Sequence, residues 1–191
     1  MNRIKICAAS TAEHAAAIKS HIIHMSASDK YLRFGYAAPD EQISVYIDNT
    51  FKNINSVWLI AKQNSQVVGT LHIAFSGLMA EFGLTVDSKL RNSGIGKSLF
   101  AQAYLMCIQQ EIQQINLYCL SQNTAIKKIA VSFGLQIINC GPDAEAAVII
   151  KYPVTAEEVK RIVSFFTVDD QFTNILNCHI INCHQTKNKN K

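Results

Sequence analysis

Along most of the chain the apolar positions recur with one of two periods, near two or near 3.6, and the switches between them divide it into elements. Arg3 to Ala8 reads as a short first strand. Ser10-Thr11-Ala12-Glu13 is a capping box with Ser10 at the N-cap, opening a helix to about Met25. Residues 26–38 read as a loop containing Tyr31-Leu32-Arg33-Phe34, and Pro39-Asp40-Glu41 starts a second helix that runs to about Phe51. In that helix Ile43, Tyr46 and Ile47 hold apolar helical spacing. Ser56 to Lys62 and Val67 to Phe75, rich in β-branched and aromatic residues, form a hairpin around Gln63-Asn64-Ser65-Gln66. A further strand from about Leu78 makes three consecutive antiparallel strands.

After that strand the period returns to helical. Leu99, Phe100, Ala103, Met106 and Cys107 place a helix over Gly96 to about Gln113. Ile115 to Leu120 is a buried-type strand, parallel to its predecessor across the helical crossover. Asn123 to Ser132 is a short helix with Gly134 as a left-handed stop. Leu135 to Asn139 and Ala146 to Tyr152 close the pattern as a pair around Cys140-Gly141-Pro142-Asp143. The order is β-α-α-β-β-β-α-β-α-β-β, an α/β chain with a mixed sheet.

With 191 residues and 49% hydrophobic content, one domain with a full core is expected. No apolar run approaches the roughly 20 residues that span a bilayer, and no signal-peptide pattern opens the chain, so no membrane role is expected. The six cysteines, Cys7, Cys107, Cys119, Cys140, Cys178 and Cys183, lack a disulfide-scaffold spacing. They read as free, buried thiols in a reducing, cytoplasmic setting. Net charge is a mild +4, and the single basic cluster, Lys187-Asn188-Lys189-Asn190-Lys191, reads as a solvated terminus rather than a nucleic-acid arm. His21 and His24, one turn apart without acidic or Cys partners, read as exposed helix residues rather than metal ligands.

The chemistry concentrates between Glu81 and Leu99. An apolar strand, Phe82 to Val86, leads through Asp87-Ser88-Lys89 into Arg91-Asn92-Ser93-Gly94-Ile95-Gly96-Lys97 and then a helix. Two glycines let backbone amides approach a ligand, and a helix start leaves its first N–H groups unpaired. Together with the helix dipole, Arg91 and Lys97 make this a cradle for pyrophosphate. A P-loop would need Gly where Arg91 stands, and a dinucleotide fingerprint begun at Gly94 would need Gly or Ala where Leu99 stands. Glu81 is the candidate base. It is a charged residue in an apolar strand, on one face with the small Gly83 and Thr85, which leaves room beside it for a substrate. The plainer alternative is a solvated Glu81 paired with a nearby Lys.

The R-x-x-G-x-G of Arg91 to Gly96 resembles the acetyl-coenzyme A loop of the GNAT family of N-acetyltransferases, written there Q/R-x-x-G-x-G/A. Asn123 to Leu135 is similar to the family's N-x-x-(A/M)-x-x-(L/I)-(Y/A)-x-x-x-G-F segment, and Ala80 to Val86 to the strand before its phosphate loop. Tyr31-Leu32-Arg33-Phe34 resembles a segment of the branch that includes bacterial protein acetyltransferase domains. The resemblance covers about residues 3–152, and the predicted element order is also the family's.

The resemblance implies acetyl-CoA as co-substrate, no metal, and direct transfer of acetyl to a primary amine, on a small molecule or a protein lysine. Backbone amides of Arg91, Asn92, Ser93, Gly94, Ile95, Gly96 and Lys97 would hold the pyrophosphate. The main chain of Leu84, Thr85 and Val86 would receive the pantetheine arm and polarise its carbonyl. Asn123 would contact the arm as well as cap its helix, with Ile126 and Ile129 lining it, and Glu81 would accept the amine's proton. Many members carry Tyr where this chain has Ala130, a proton donor to the departing thiolate; Ser132 and Tyr118 are weak substitutes. A non-catalytic acyl-CoA-binding regulatory module is therefore the alternative.

The acetyltransferase domain is drawn over 1–153, with 154–191 a helical extension and polar basic tail. Thr155-Ala156-Glu157-Glu158 starts a helix carrying Val159, Ile162, Val163 and Phe166, and a second apolar stretch runs from Phe172 to Ile181. Cys178-His179 and Cys183-His184 sit five residues apart, a spacing that separates them on a helix and argues against a metal site. An amphipathic cover for the core or for a homodimer partner fits better.

Overall fold

Strict alternation in one strand builds two cores at once. Strand β2 (Ser56–Gln63) sends Leu59 and Ala61 to one face of the sheet and Trp58 and Ile60 to the other. The computed structural model describes residues 4–166, which form a mixed α/β fold. Around β2 lie β1 (Ile4–Ala9), β3 (Gln66–Ser76) and β4 (Met79–Val86), all antiparallel. Beyond β4 come β5 (Gln114–Leu120), β7 (Asp143–Ile149) and β6 (Gln136–Cys140), giving the order β1-β2-β3-β4-β5-β7-β6.

On the first face, α4 (Ile95–Gln109), α5 (Thr124–Ser132) and α6 (Ala156–Val163) enclose the larger core. Phe82, Phe100, Phe133 and Phe165 run through it as a chain of ring contacts, with centroids 5.0, 4.7 and 4.4 Å apart in turn. On the second face, α1 (Ala12–Ile23) and α3 (Asp40–Lys52) bury Ile18, Ile22, Ile43 and Ile47 against Trp58 and Ile60. A third helix, α2 (Ala27–Phe34), reaches the adjoining parts of β4 and β5. Among the described residues no helix is long and apolar enough to cross a membrane.

Several boundaries differ from the sequence expectation. The N-cap of α1 is Thr11, whose side chain accepts the His14 amide, rather than Ser10. Residues 26–38 are not all loop: α2 forms behind a Ser26 cap that accepts from the Asp29 amide, and stops at Gly35 with φ 81°. The hairpin turns on Asn64 and Ser65, both left-handed, as a two-residue turn between twisted strands requires. Helix α4 ends at Gln109, short of Gln113, because Glu111 takes φ 56°. The thiols are free but unevenly buried: Cys107 is enclosed, Cys7 and Cys119 half-buried and Cys140 exposed. Residues 172–181, both Cys-His pairs and the lysine tail lie outside the described residues.

Candidate active site

The parallel pairing of β4 with β5 is brief. It joins Met79, Ala80 and Glu81 to Gln114, Ile115 and Asn116 and goes no further. Past that point β4 stays with β3 as far as Val86, while β5 follows β7 to Leu120. The sheet therefore forks, and each strand presents an edge of peptide groups along the gap. Free strand edges can take up another extended chain, including a ligand's amide-bearing arm. Glu81 is the last residue of β4 paired with β5, exposed on the second face at the base of the fork.

The gap opens toward the start of α4. Its N-cap, Gly94, has φ 87°, a conformation that disfavours side chains, and no side chain caps the helix among the described residues. The uncapped amides of its first turn point into the bend. Asn92 is also left-handed at φ 61°, and the Ser93 hydroxyl donates to the Leu90 carbonyl at 2.5 Å, tightening the bend. Ile95 is buried in the core beneath it. Gly96 lets the elements converge: a Cβ there would lie 2.9 Å from Ile129 Cδ1, 3.5 Å from Leu84 Cδ2 and 3.6 Å from Val86 Cγ2. The structure thus gathers Leu84, Val86, Gly96 and Ile129 at the fork, while Ile126 is buried in the same core.

Other predicted residues are turned elsewhere. Thr85 points its hydroxyl at Thr70 Oγ1, 2.7 Å away, and at His21 Nε2, 3.0 Å away, leaving only its main chain for the gap. His21 is consequently not an exposed helix residue. Burial pushes its imidazole below the usual 6.5, partly offset by the charge of Asp87 and a hydrogen bond with the Val67 backbone. His24 is exposed, with Nδ1 2.7 Å from the Ser20 carbonyl. Arg91 donates to the Asp29 carboxylate at the head of α2. Burial alone would raise the Asp29 carboxyl, but hydrogen bonds from Arg91 and Ser26 and the Arg91 charge leave it lower than usual. The Lys97 ammonium sits 5.4 Å over the Phe165 ring, a cation–π contact with the segment after α6. Asn123 caps α5, accepting from the Ile126 amide at 3.3 Å, and donates through Nδ2 to the Leu32 carbonyl of α2 at 3.4 Å.

Sequence reasoning did not connect Arg33 to Gly83. A Cβ at Gly83 would run into the Arg33 guanidinium, so the room expected over Gly83 for a substrate is instead filled by that cation, two residues from Glu81. Arg33 donates to the Tyr46 hydroxyl at 3.3 Å, and Tyr46 lies 2.8 Å from His72 Nδ1. His72 Nε2 lies 3.2 Å from Ser56 Oγ. The signal available was Arg33 itself, a cation between Leu32 and Phe34. Its partner on β4 is visible only in three dimensions.

The strand fork thus brings two strand edges and the uncapped start of α4 together along one gap. The sequence pattern of the Acetyltransferase (GNAT) family matches residues 22–134, and the chain belongs to that family. No curated protein matches it by sequence. Among solved structures, the GNAT domain of Streptomyces lividans PAT aligns with TM-score 0.66 at 15% identity, covering 76% of this chain and 89% of that one. PaiA N-acetyltransferase from Thermoplasma acidophilum, in complex with coenzyme A, gives 0.60 at 18% identity, over 76% and 99%. RimL, a ribosomal-protein α-N-acetyltransferase also bound to coenzyme A, gives 0.62 at 14% identity, over 78% and 96%. The mixed seven-stranded fold is that of GNAT structures.

Proposed function

We propose that this chain moves an acetyl group from acetyl-CoA directly to an amine, with Glu81 as the base. One observation carries the reading: the exposed Glu81 carboxylate stands where β4 and β5 part, at the inner end of a gap that leads to the α4 amides. In this reading the amides from Arg91 to Lys97 hold the pyrophosphate. The free edge of β4 from Leu84 to Val86 pairs with the arm, flanked by Ile126 and Ile129, and Asn123 contacts it from the start of α5. The thioester then lies beside Glu81.

An ammonium acceptor must lose a proton before its nitrogen can attack, and Glu81 takes that proton directly or through one water. Attack forms the C–N bond and places negative charge on the carbonyl oxygen, which a main-chain N–H near Val86 stabilises. Collapse breaks the C–S bond, the nitrogen, cationic since attack, gives its second proton to solvent to leave the neutral amide, and the thiolate takes a proton from solvent. Ala130 is wholly buried and has none to give, the Ser132 hydroxyl is already donated to the Ile129 carbonyl at 2.7 Å, and the Tyr118 hydroxyl is taken by a hydrogen bond with Glu145. That missing donor is what favours the second reading, an acyl-CoA-binding module without turnover.

Calorimetric titration of acetyl-CoA, into wild type and into Gly94→Trp protein with its fold checked by circular dichroism, tests the cradle. Binding should be present in wild type and lost in the variant. Glu81→Gln should keep its affinity for acetyl-CoA and lose about 10²- to 10⁴-fold in transfer rate. Binding without transfer in wild type selects the non-catalytic module. Failure of folded wild type to bind removes both readings.

A further inference from the structure

Helix α2 buries no residue fully, so polar ties do much to set its position, and two of them end on the candidate site. At its head the Asp29 carboxylate accepts from the Arg91 guanidinium at 2.5 Å, in the bend before α4. Near its end the Leu32 carbonyl accepts from Asn123 Nδ2 at 3.4 Å, at the start of α5. Lys30, on Asp40 at 2.7 Å, and Phe34, edge-on to Tyr46, join the helix to α3 instead. Held this way, α2 lays Arg33 on β4: the three atoms nearest a Cβ at Gly83 would all belong to its guanidinium. Gly83 and Glu81 share one side of β4, about 7 Å apart along the strand.

Arg33 is poorly satisfied there. Its Nε is buried without a hydrogen-bond partner, and the bond it donates to the Tyr46 hydroxyl is long, 3.3 Å. Among the described residues no carboxylate pairs with it. A permanent strut between α2 and β4 would bond to that strand, and among the described residues Arg33 makes no hydrogen bond to β4. A buried donor left without a partner is unfavourable, so this guanidinium gains by moving.

We infer that Arg33 is a plug in the space beside Glu81, and that acetyl-CoA withdraws it by competing for the two residues that hold α2. The inference rests on the reading of Glu81 as the base and of the α4 bend as the pyrophosphate cradle. Arg91 pairs with a single carboxylate, and a pyrophosphate in the cradle offers it more negative charge. Asn123 Nδ2 makes a long bond to Leu32, for which an amide carbonyl of the arm competes. Each exchange removes one tie from α2, and Arg33 is no longer pressed onto Gly83. A protonated amine can then approach Glu81 without meeting a like charge. The acceptor therefore reaches the base when a thioester stands beside it. By reciprocity, an amine seated at Glu81 tightens acetyl-CoA.

The test uses the full chain and phenylglyoxal, which modifies accessible guanidinium groups, with each arginine followed by mass spectrometry. Arg161, exposed on α6, is the reference. Acetyl-CoA should protect Arg91, leave Arg161 unchanged and raise the modification of Arg33 by about threefold or more. Two variants, their folds checked by circular dichroism, should expose Arg33 with no acetyl-CoA added. Gly83→Ala puts a methyl group where the guanidinium lies, and Asp29→Asn cuts the tie to Arg91. Equal modification of Arg33 with and without acetyl-CoA, while Arg91 is protected, means that the coenzyme binds and the plug stays. That overturns the inference and leaves the proposed function standing. Protection of Arg33 together with Arg91 overturns it as well, and so does an Arg33 unchanged in folded Gly83→Ala protein. If calorimetry shows no binding of acetyl-CoA to folded wild type, the cradle reading falls first and takes the inference with it.

Discussion

The Tyr46 hydroxyl joins two basic side chains that would otherwise repel. It accepts from Arg33, and so its own proton goes to His72 Nδ1, which fixes His72 as the neutral tautomer donating from Nε2 to Ser56. Burial first, and the Arg33 charge second, push the His72 imidazole from 6.5 down to about 3. Above 6.5 His72 is neutral in both folded and unfolded chain and adds no pH dependence. Below that, the unfolded chain takes up a proton the folded one refuses, so stability falls as pH drops from 6.5 toward about 3. The slope from this group is at most about 1.4 kcal/mol per pH unit. Urea unfolding at several pH values in that window should show wild type losing stability more steeply than His72→Asn. Parallel slopes would mean that another group governs the acid limb.

At the scale of elements, α2 is the piece the sequence concealed, and the reason is physical. It is only eight residues long and buries no residue fully, so Ala27, Tyr31 and Phe34, though at helical spacing, make too short a stripe to stand out from a loop. Its two end signals were present, the Ser26 cap with Asp29 three residues on, and the left-handed Gly35. The hairpin, the crossover and α5 were legible because their apolar residues are core residues, as Leu71, Phe100 and Ala130 are. The bend before α4 was legible because Gly94 and Gly96 are required there by backbone angle and by close packing. The fork was not: parallel pairing could be read from the crossover, but where β4 leaves β5 depends on how β7 draws β5 away. Helix α2 then bears on the cradle through Asp29, whose carboxylate neutralises Arg91. Asp29→Asn should release that positive charge beside the amides proposed to hold the pyrophosphate. Acetyl-CoA should bind about two- to fivefold more tightly at low ionic strength, with the gain fading as salt rises. Weaker binding by the variant, measured by calorimetry, would show instead that the anchored position of α2 matters more than the freed charge.

Across the whole molecule the question is whether α6, drawn from sequence as an extension beyond residue 153, stands apart energetically. Its Val159 and Ile162 are buried in the cluster that holds Phe100 and Phe133, and Phe165 just after it packs on Phe133, tilted, with ring centroids 4.4 Å apart. The segment also meets the cradle helix, through Lys97 over Phe165 and a Ser98 hydroxyl donated to the Phe165 carbonyl at 3.4 Å. A helix so placed should unfold with the sheet. The single tryptophan makes that measurable, because Trp58 lies in the other core, across the sheet from α6. Ile162→Ala removes a fully buried side chain and should cost about 2–5 kcal/mol. If the two cores form one cooperative unit, thermal unfolding read by Trp58 fluorescence should shift down by about 2–4 °C for each kcal/mol lost, together with the transition read by circular dichroism. A Trp58 transition that stays at the wild-type temperature, while part of the helical signal melts early, would make α6 a separable cover. Its contacts with Lys97 and Ser98 would then be a means of altering the cradle without unfolding the sheet.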